Sequence, residues 1–417
     1  MNRRRRRINW FWVSVLVGMI FATTYFGRYV APEIRTPFID TPTPTRAPES
    51  FVSEAENLFG QGKFPQAITA YEDAIRSNPS DPSSYIAMAR VQVFIGHYEE
   101  AQESAENALL LNPNNSIAHA VRAWALDFQG ELLAAEAAVK RSLELDPNNA
   151  LAHAYYAEIL ADSFLSGIGP FDSVELAAEE SRVALSLAPD LMEAHRARAY
   201  VLEVTGNYEE AIRAYEAAIN INDNIPDLHL SLGRNYRALQ VYDKAVEEFT
   251  RANALNPADP LPDLFISRTY STIGEYAKAV QYGEQAVKDD PESATLHGNL
   301  GVMYYHNFLW PEAAQELALS IYGGNLGEGQ TIEALPLSNT GRSPEYYFTY
   351  ALVLSRLNRC GESLQIAQQI IGTIPSNELA VFNANEAINL CQENLDSPPI
   401  ATEEVIPEAT ETPTTEA

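Results

Sequence analysis

Gly96–Asn115 reads GHYEEAQESAENALLLNPNN, and Gly206–Asn224 reads GNYEEAIRAYEAAININDN. Two such similar phrases are either a functional motif used twice or two beats of a longer repeat. The prolines decide. Pro79, Pro113 and Pro147 lie 34 residues apart, as do Pro257 and Pro291, and Pro189 to Pro257 is 68. Only Pro147 to Pro189 breaks step, at 42, with eight extra residues around SFLSGIGPF. A proline stops a helix at the residue before it. Upstream of these prolines a glycine (Gly62, Gly96, Gly130, Gly206 or Gly274) ends the preceding helix. Between these marks small and apolar residues recur at helical spacing, as in Ala67, Tyr71 and Ala74 or Ala211, Tyr215 and Ala218. Each period is thus expected to be two antiparallel helices and a turn.

The period of 34, with alanine, an aromatic four later, alanine three later and then proline, resembles the tetratricopeptide repeat. In the first helix the family's small and aromatic positions fall on Gly233 and Tyr236, on Gly301 and Tyr304, and on Ala199. The likeness covers roughly residues 51–392, some nine repeats by that period. Departures are Asp223 for a closing proline and Gly283 for the aromatic. The resemblance implies an all-α, right-handed superhelical solenoid with a concave groove, because one helix pair cannot bury both its faces and needs a neighbour. NELAVFNANEAINLCQEN, at residues 377–394, reads as the closing helix. Inserts are expected near residues 162–172 and 323–343, the second with a short hairpin at QTIEALPLS, residues 330–338.

Outside the repeats the chain changes character. Arg3–Arg7 precede INWFWVSVLVGMIFATTYFG, residues 8–27, which contain no charge. As a helix these residues reach about 30 Å, and aromatics flank both ends, so they read as a transmembrane signal anchor. Its apolar run is long for a cleaved signal and no A-x-A-like site follows. The basic residues 1–7 are expected to be cytoplasmic, with the remainder outside, in a bacterial cell envelope. Residues 28–50 are Thr/Pro-rich and read as a semi-rigid stalk, and residues 393–417 as a disordered acidic tail rich in Thr, Pro and Glu.

The net charge of −28 excludes a nucleic-acid binder, since phosphate needs a basic face. No H-E-x-x-H, G-x-S-x-G, C-x-x-C or paired Cys/His spacing occurs, and GGNLGEG at residues 323–329 lacks the Lys-Ser/Thr of a phosphate loop. His119, His153, His195, His229 and His297 share one repeat slot. Equivalent helices lie about 10 Å apart, too far for shared zinc ligation at about 2 Å, so these rings are expected to pack between repeats. Neither cofactor, metal nor catalytic set is expected, and the chain is expected not to be an enzyme.

Arg90, Arg234 and Arg268 occupy one slot, which in the resembled family faces the groove, and Arg237 lies three residues beyond Arg234 on the same face. Arg196 and Tyr200 lie one repeat earlier. Arg196, Tyr200, Arg234, Arg237 and Arg268 are therefore the candidate groove, expected to take an acidic or carboxylate-bearing segment of a partner protein or peptide. The competing reading pairs these arginines with nearby acids. The asparagine of the family's carboxylate clamp is matched only at Asn299. By the register Cys360 begins the second helix of the last full repeat and Cys391 ends the closing helix, so a disulfide between them is expected in an oxidising compartment. The expected function is a membrane-anchored extracytoplasmic scaffold. The alternatives are an auxiliary subunit of a membrane enzyme or secretion/modification complex, and a structural envelope spacer.

Overall fold

The computed structural model describes residues 9–25, 28, 47–327 and 329–396. Helix α1 spans Trp10–Tyr25 and exposes every residue. The body follows as helix pairs: α2 (Pro48–Gly60) with α3 (Phe64–Ser77), α4 (Pro82–Phe94) with α5 (Tyr98–Leu111), and α6 (Ser116–Phe128) with α7 (Leu132–Leu145). Next come α8 (Ala150–Leu165) with α9 (Ser173–Leu187), α10 (Met192–Val204) with α11 (Tyr208–Ile221), and α12 (Pro226–Ala238) with α13 (Tyr242–Leu255). The series ends with α14 (Pro260–Thr272) and α15 (Tyr276–Asp289), α16 (Ala294–His306) and α17 (Trp310–Tyr322), α18 (Ser343–Arg356) and α19 (Cys360–Thr373), then α20 (Glu378–Asp396). Among the described residues this makes nine pairs and a closing helix, an all-α repeat solenoid.

The local causes recur with the period. Side chains of Asp81, Asn115, Asn149 and Asp259 accept from the backbone N–H two or three residues on and start the first helix of their pairs. The turn inside each pair needs one residue with positive φ, which Gly62, Gly96, Gly130, Gly206 and Gly274 supply at 72–83°. One and three periods after Gly206 the slots are held by Gln240 (φ 61°) and Phe308 (φ 62°), which bend left-handed without that freedom. Alanines such as Ala101, Ala105 and Ala108 are fully buried, letting helices approach closely. At Gly233 even a methyl would be too much, because an added Cβ would sit 2.6 Å from the Phe249 ring.

First helices touch one another from pair to pair (α4 to α6, α6 to α8, α8 to α10), whereas second helices chiefly contact the first helices beside them in sequence. The first helices thus form the inner face. The array also curls back on itself. Asn224, in the turn before α12, donates from Nδ2 to the Gly60 carbonyl at 3.0 Å, and Arg90 on α4 pairs with the buried Glu193 on α10. One buried cluster accordingly includes Phe64 and Tyr71 together with Met192, Tyr215 and Ile225.

Several boundaries differ from those read in the sequence. α1 has 16 residues, about 24 Å of helix, where residues 8–27 were expected to span, and no helix among the described residues is long and apolar enough to cross a membrane. Residues 1–8 and 26–27 lie outside the described set, as do 29–46 of the expected stalk and 397–417 of the expected tail. Pro48 already opens α2, as proline at the first helical turn does, so residues 48–50 are helix rather than stalk. α20 runs on to Asp396, beyond residue 392. The hairpin is displaced as well: β1 (Gly324–Gly327) pairs antiparallel with β2 (Gln330–Ile332), and residues 333–338 form no strand. Buried Ile332 and the Leu335 N–H donating to Ser320 anchor this insert to α17. At the other insert, the added residues lengthen α8 to 16 residues against 13 in α6 and α10.

Candidate functional site

The extra turn of α8 shapes the inner face. It carries Ser163, Phe164 and Leu165 past the ends of α6 and α10, and a cavity of 560 Å³ lies among α6, α8, α10 and α12. Beneath it Trp124 is fully buried, stacked on Tyr155 with ring centroids 4.5 Å apart, and the Arg196 guanidinium lies 4.7 Å over the Trp124 ring. Arg196 pairs directly with Glu158 and stands 3.5 Å from Asp227. The Tyr200 hydroxyl donates to Asp162. Arg234 Nε donates to Glu203 Oε1 at 3.0 Å, while Asn235 and the Tyr215 hydroxyl hold the other Glu203 oxygen. The rim is apolar, with Phe128, Leu165 and Ile168 exposed.

Carboxylates outnumber cations here, and their acidities show it. Burial pushes Glu158 up to about 8; Arg196 opposes this and Asp162 adds to it. Asp127, 6% exposed, is held well above the carboxylate range by burial and then by Asp162 and Glu158. Burial also raises Asp162, against the hydroxyl of Tyr200. Burial works against the Arg196 charge, but Glu158 and Asp227 more than offset it and raise its pKa.

The five residues singled out from sequence therefore divide. Arg196, Tyr200 and Arg234 line the cavity but are already bound to carboxylates of the chain, which corrects the expectation that they await an acidic segment. Arg90, in the same slot, is likewise taken by Glu193. Arg237 and Arg268 stand elsewhere. Their guanidiniums lie 5.5 and 5.9 Å from the half-buried Phe265 ring, and Arg268 Nε donates to Asn299 Oδ1 at 3.0 Å. Burial, followed by the nearby Arg342 charge, lowers the pKa of both. Among the described residues neither forms an ion pair with a carboxylate. Asn299, the one match to the clamp, is fully buried and also donates to Ser267, so it braces Arg268.

The histidine slot does more than pack. In His119, His153, His195, His229 and His297 the ring Nε2 bonds the carbonyl six residues earlier at 2.8–3.1 Å, tying each helix start to the preceding turn. His153, His229 and His297 also engage Glu180, Glu248 and Glu316 through Nδ1. These bonds brace adjacent helices, and among the described residues no three His, Cys, Asp or Glu are placed to hold a metal. Cys360 and Cys391 are joined by a disulfide, Cα–Cα 5.5 Å, fastening α19 to α20.

The residues missed by sequence are Asp127, Glu158 and Asp162. A signal existed. Counting on from Arg90 by the repeat, with the insert, gives Trp124, Glu158, Tyr200 and Arg234, so Glu158 sits in the arginine slot itself.

Three stretches match models described as tetratricopeptide repeat: residues 58–125, 192–225 and 266–325. The chain carries such repeats. A crystal structure of a tetratricopeptide repeat protein from Parabacteroides merdae is similar at 16% identity, covering 61% of this chain and 98% of that one, with a TM-score of 0.40. No curated protein matches the sequence significantly.

Proposed function

We propose that this tetratricopeptide-repeat chain is a scaffold that binds a partner protein or peptide on the inner face of its solenoid, with binding as its whole activity. Repeats of this kind generally bind proteins. The observation that carries a specific docking point is the pair Arg237 and Arg268, both close to the Phe265 ring, two cations without a carboxylate partner among the described residues. A carboxylate of the partner between them gains charge-assisted hydrogen bonds, and the ring supplies apolar contact. In this reading residues 8–27 anchor the chain in a membrane, residues 1–7 stay cytoplasmic, and the repeats face outward. Arg3–Arg7 ahead of the apolar run support that orientation, and the Cys360–Cys391 disulfide fits an oxidising compartment.

The test is a random heptapeptide display selection on the immobilised full chain, wild type against Arg237→Ala/Arg268→Ala. Enrichment of acidic peptides that the double variant no longer retains, with helicity unchanged by circular dichroism, is the expected result. Equal retention by both proteins removes this docking point. For topology, protease added to spheroplasts of an expressing bacterium should trim the repeats, and full protection of them contradicts the outward orientation.

A further inference from the structure

We infer that the cavity among α6, α8, α10 and α12 receives an arginine or lysine side chain flanked by apolar residues, carried on a segment of a partner protein. The inference rests on the scaffold reading but uses other residues.

Charge is the first ground. Asp127, Glu158, Asp162 and Asp227 line the cavity against two cations, Arg196 and Arg234, and Glu203 already neutralises Arg234. Glu158, 4% exposed, spends one oxygen on Arg196 and leaves Oε1 without a hydrogen-bond donor. The rim is the second ground. Leu165 and Ile168 are each 59% exposed at the mouth beside Phe128. A basic side chain suits both, since its aliphatic stem lies along apolar surface while its head reaches carboxylates. Arg196 Nε is a third, separate ground: it is buried with no acceptor, and a backbone carbonyl of the same segment provides one. A simple amine offers no such carbonyl, so a peptide fits better. The volume of 560 Å³ is that of a ligand pocket rather than a packing defect. Burial and mutual repulsion raise the pKa of both Glu158 and Asp127 and so favour their protonated forms. An arriving cation relieves that repulsion, so binding releases protons.

The test uses the full chain and three peptides, acetyl-Leu-Arg-Leu-amide and its Gln and Glu counterparts. They are titrated calorimetrically at pH 7.5 in two buffers of different ionisation enthalpy. The Arg peptide should bind roughly tenfold tighter than the Gln peptide, the fold-change of one charge-assisted hydrogen bond. Its apparent heat should differ between buffers in the sense of proton release. Asp162→Asn should weaken it roughly tenfold. Ile168→Ser, in the loop after α8, should weaken it several-fold through lost apolar contact and serves if Asp162→Asn misfolds. Equal affinity for the Arg and Gln peptides, or indifference to both substitutions, overturns the assignment. If the Arg peptide fails while acidic peptides still bind at Arg237 and Arg268, only this cavity is misread; if neither class binds, the scaffold reading falls too. Concentration-dependent self-association lost in Asp162→Asn would assign the cavity to a second copy and also overturn the proposal.

Discussion

Replacing Arg196 by methionine tests the ionic floor of the cavity most directly. Arg196 is 5% exposed, pairs with Glu158 and covers the Trp124 ring. Methionine retains most of the stem volume, so little cavity cost is added. What is lost is the charge that holds Glu158, and removing one partner of a buried pair costs about 3–5 kcal/mol. Glu158 has an escape, because it can take up a proton. Its folded pKa is about 8 even with Arg196 present, above its unfolded value. Stability linked to its protonated form is therefore fully present below the unfolded pKa and is lost as pH rises through about 8. At pH 6 Glu158→neutral costs little, and the remaining loss is the cation–π contact and the Asp227 attraction, about 1–2 kcal/mol. At pH 8.5 wild-type Glu158 is mostly ionised and paired with Arg196, whereas the variant, without the charge that lowers this pKa, keeps the proton, so the loss should grow by about 1 kcal/mol. Adding Glu158→Gln to Arg196→Met removes the group that must hold that proton and should recover at least about 2 kcal/mol at pH 8.5. Urea melts of the full chain followed by circular dichroism at both pH values measure this. An equal loss at both pH values, or simple additivity of the two substitutions, refutes the account of the floor.

Further outcomes follow from the same structure. Cys360→Ser/Cys391→Ser opens a loop of 31 residues and should cost about 3–4 kcal/mol in the chain-entropy model, read as early fraying of α19 and α20 by hydrogen exchange. Whole-protein stability should fall from pH 5.5 to 8.5. Asp263 is pushed up to about 6 by burial and Asp289, Glu158 to about 8, and His153 and His297 upward because their glutamate bonds outweigh burial. Every one of these is raised in the folded state, so each contributes stability at low pH that is lost as pH rises through its folded value; a thermal midpoint that is flat or rising over this range contradicts the sign. Phe308→Gly should stabilise by about 0.5–1 kcal/mol, since Phe308 is 75% exposed and held at positive φ, and a loss in thermal melts would show that its ring packs usefully.

The helix pairs were legible because their causes are local. Proline stops, left-handed glycines and the alanine–aromatic–alanine face each act within one repeat, and the 34-residue phase carried them along the chain. The cavity was half legible. Its arginines were found by slot, but Glu158 in that slot and Asp127 in the slot of Arg237 were passed over, because sequence does not say which carboxylates burial will strand. Arg90 illustrates the remaining gap. Its partner Glu193 is 103 residues away, and no periodicity announces that the array curls tightly enough to bring them together. The hairpin at Gly324–Ile332 failed for a simpler reason: QTI needed a partner strand, and glycine-rich GNLG has little strand propensity of its own.

The curl that joins Gly60 to Asn224 and Arg90 to Glu193 changes how the chain must be made and altered. In an open repeat array each unit answers only to its neighbours, and modules can be removed or duplicated with local effect. Here α2 to α4 find part of their burial against helices encoded more than a hundred residues later. During synthesis they must wait for that sequence, exposed, and closing so long a loop slows the step that completes them. Deleting one 34-residue unit between them would therefore do more than shorten the solenoid. It would shift the register of the two touching stretches and unseat the first repeats, which makes α2 to α11 a single unit of inheritance rather than five interchangeable ones.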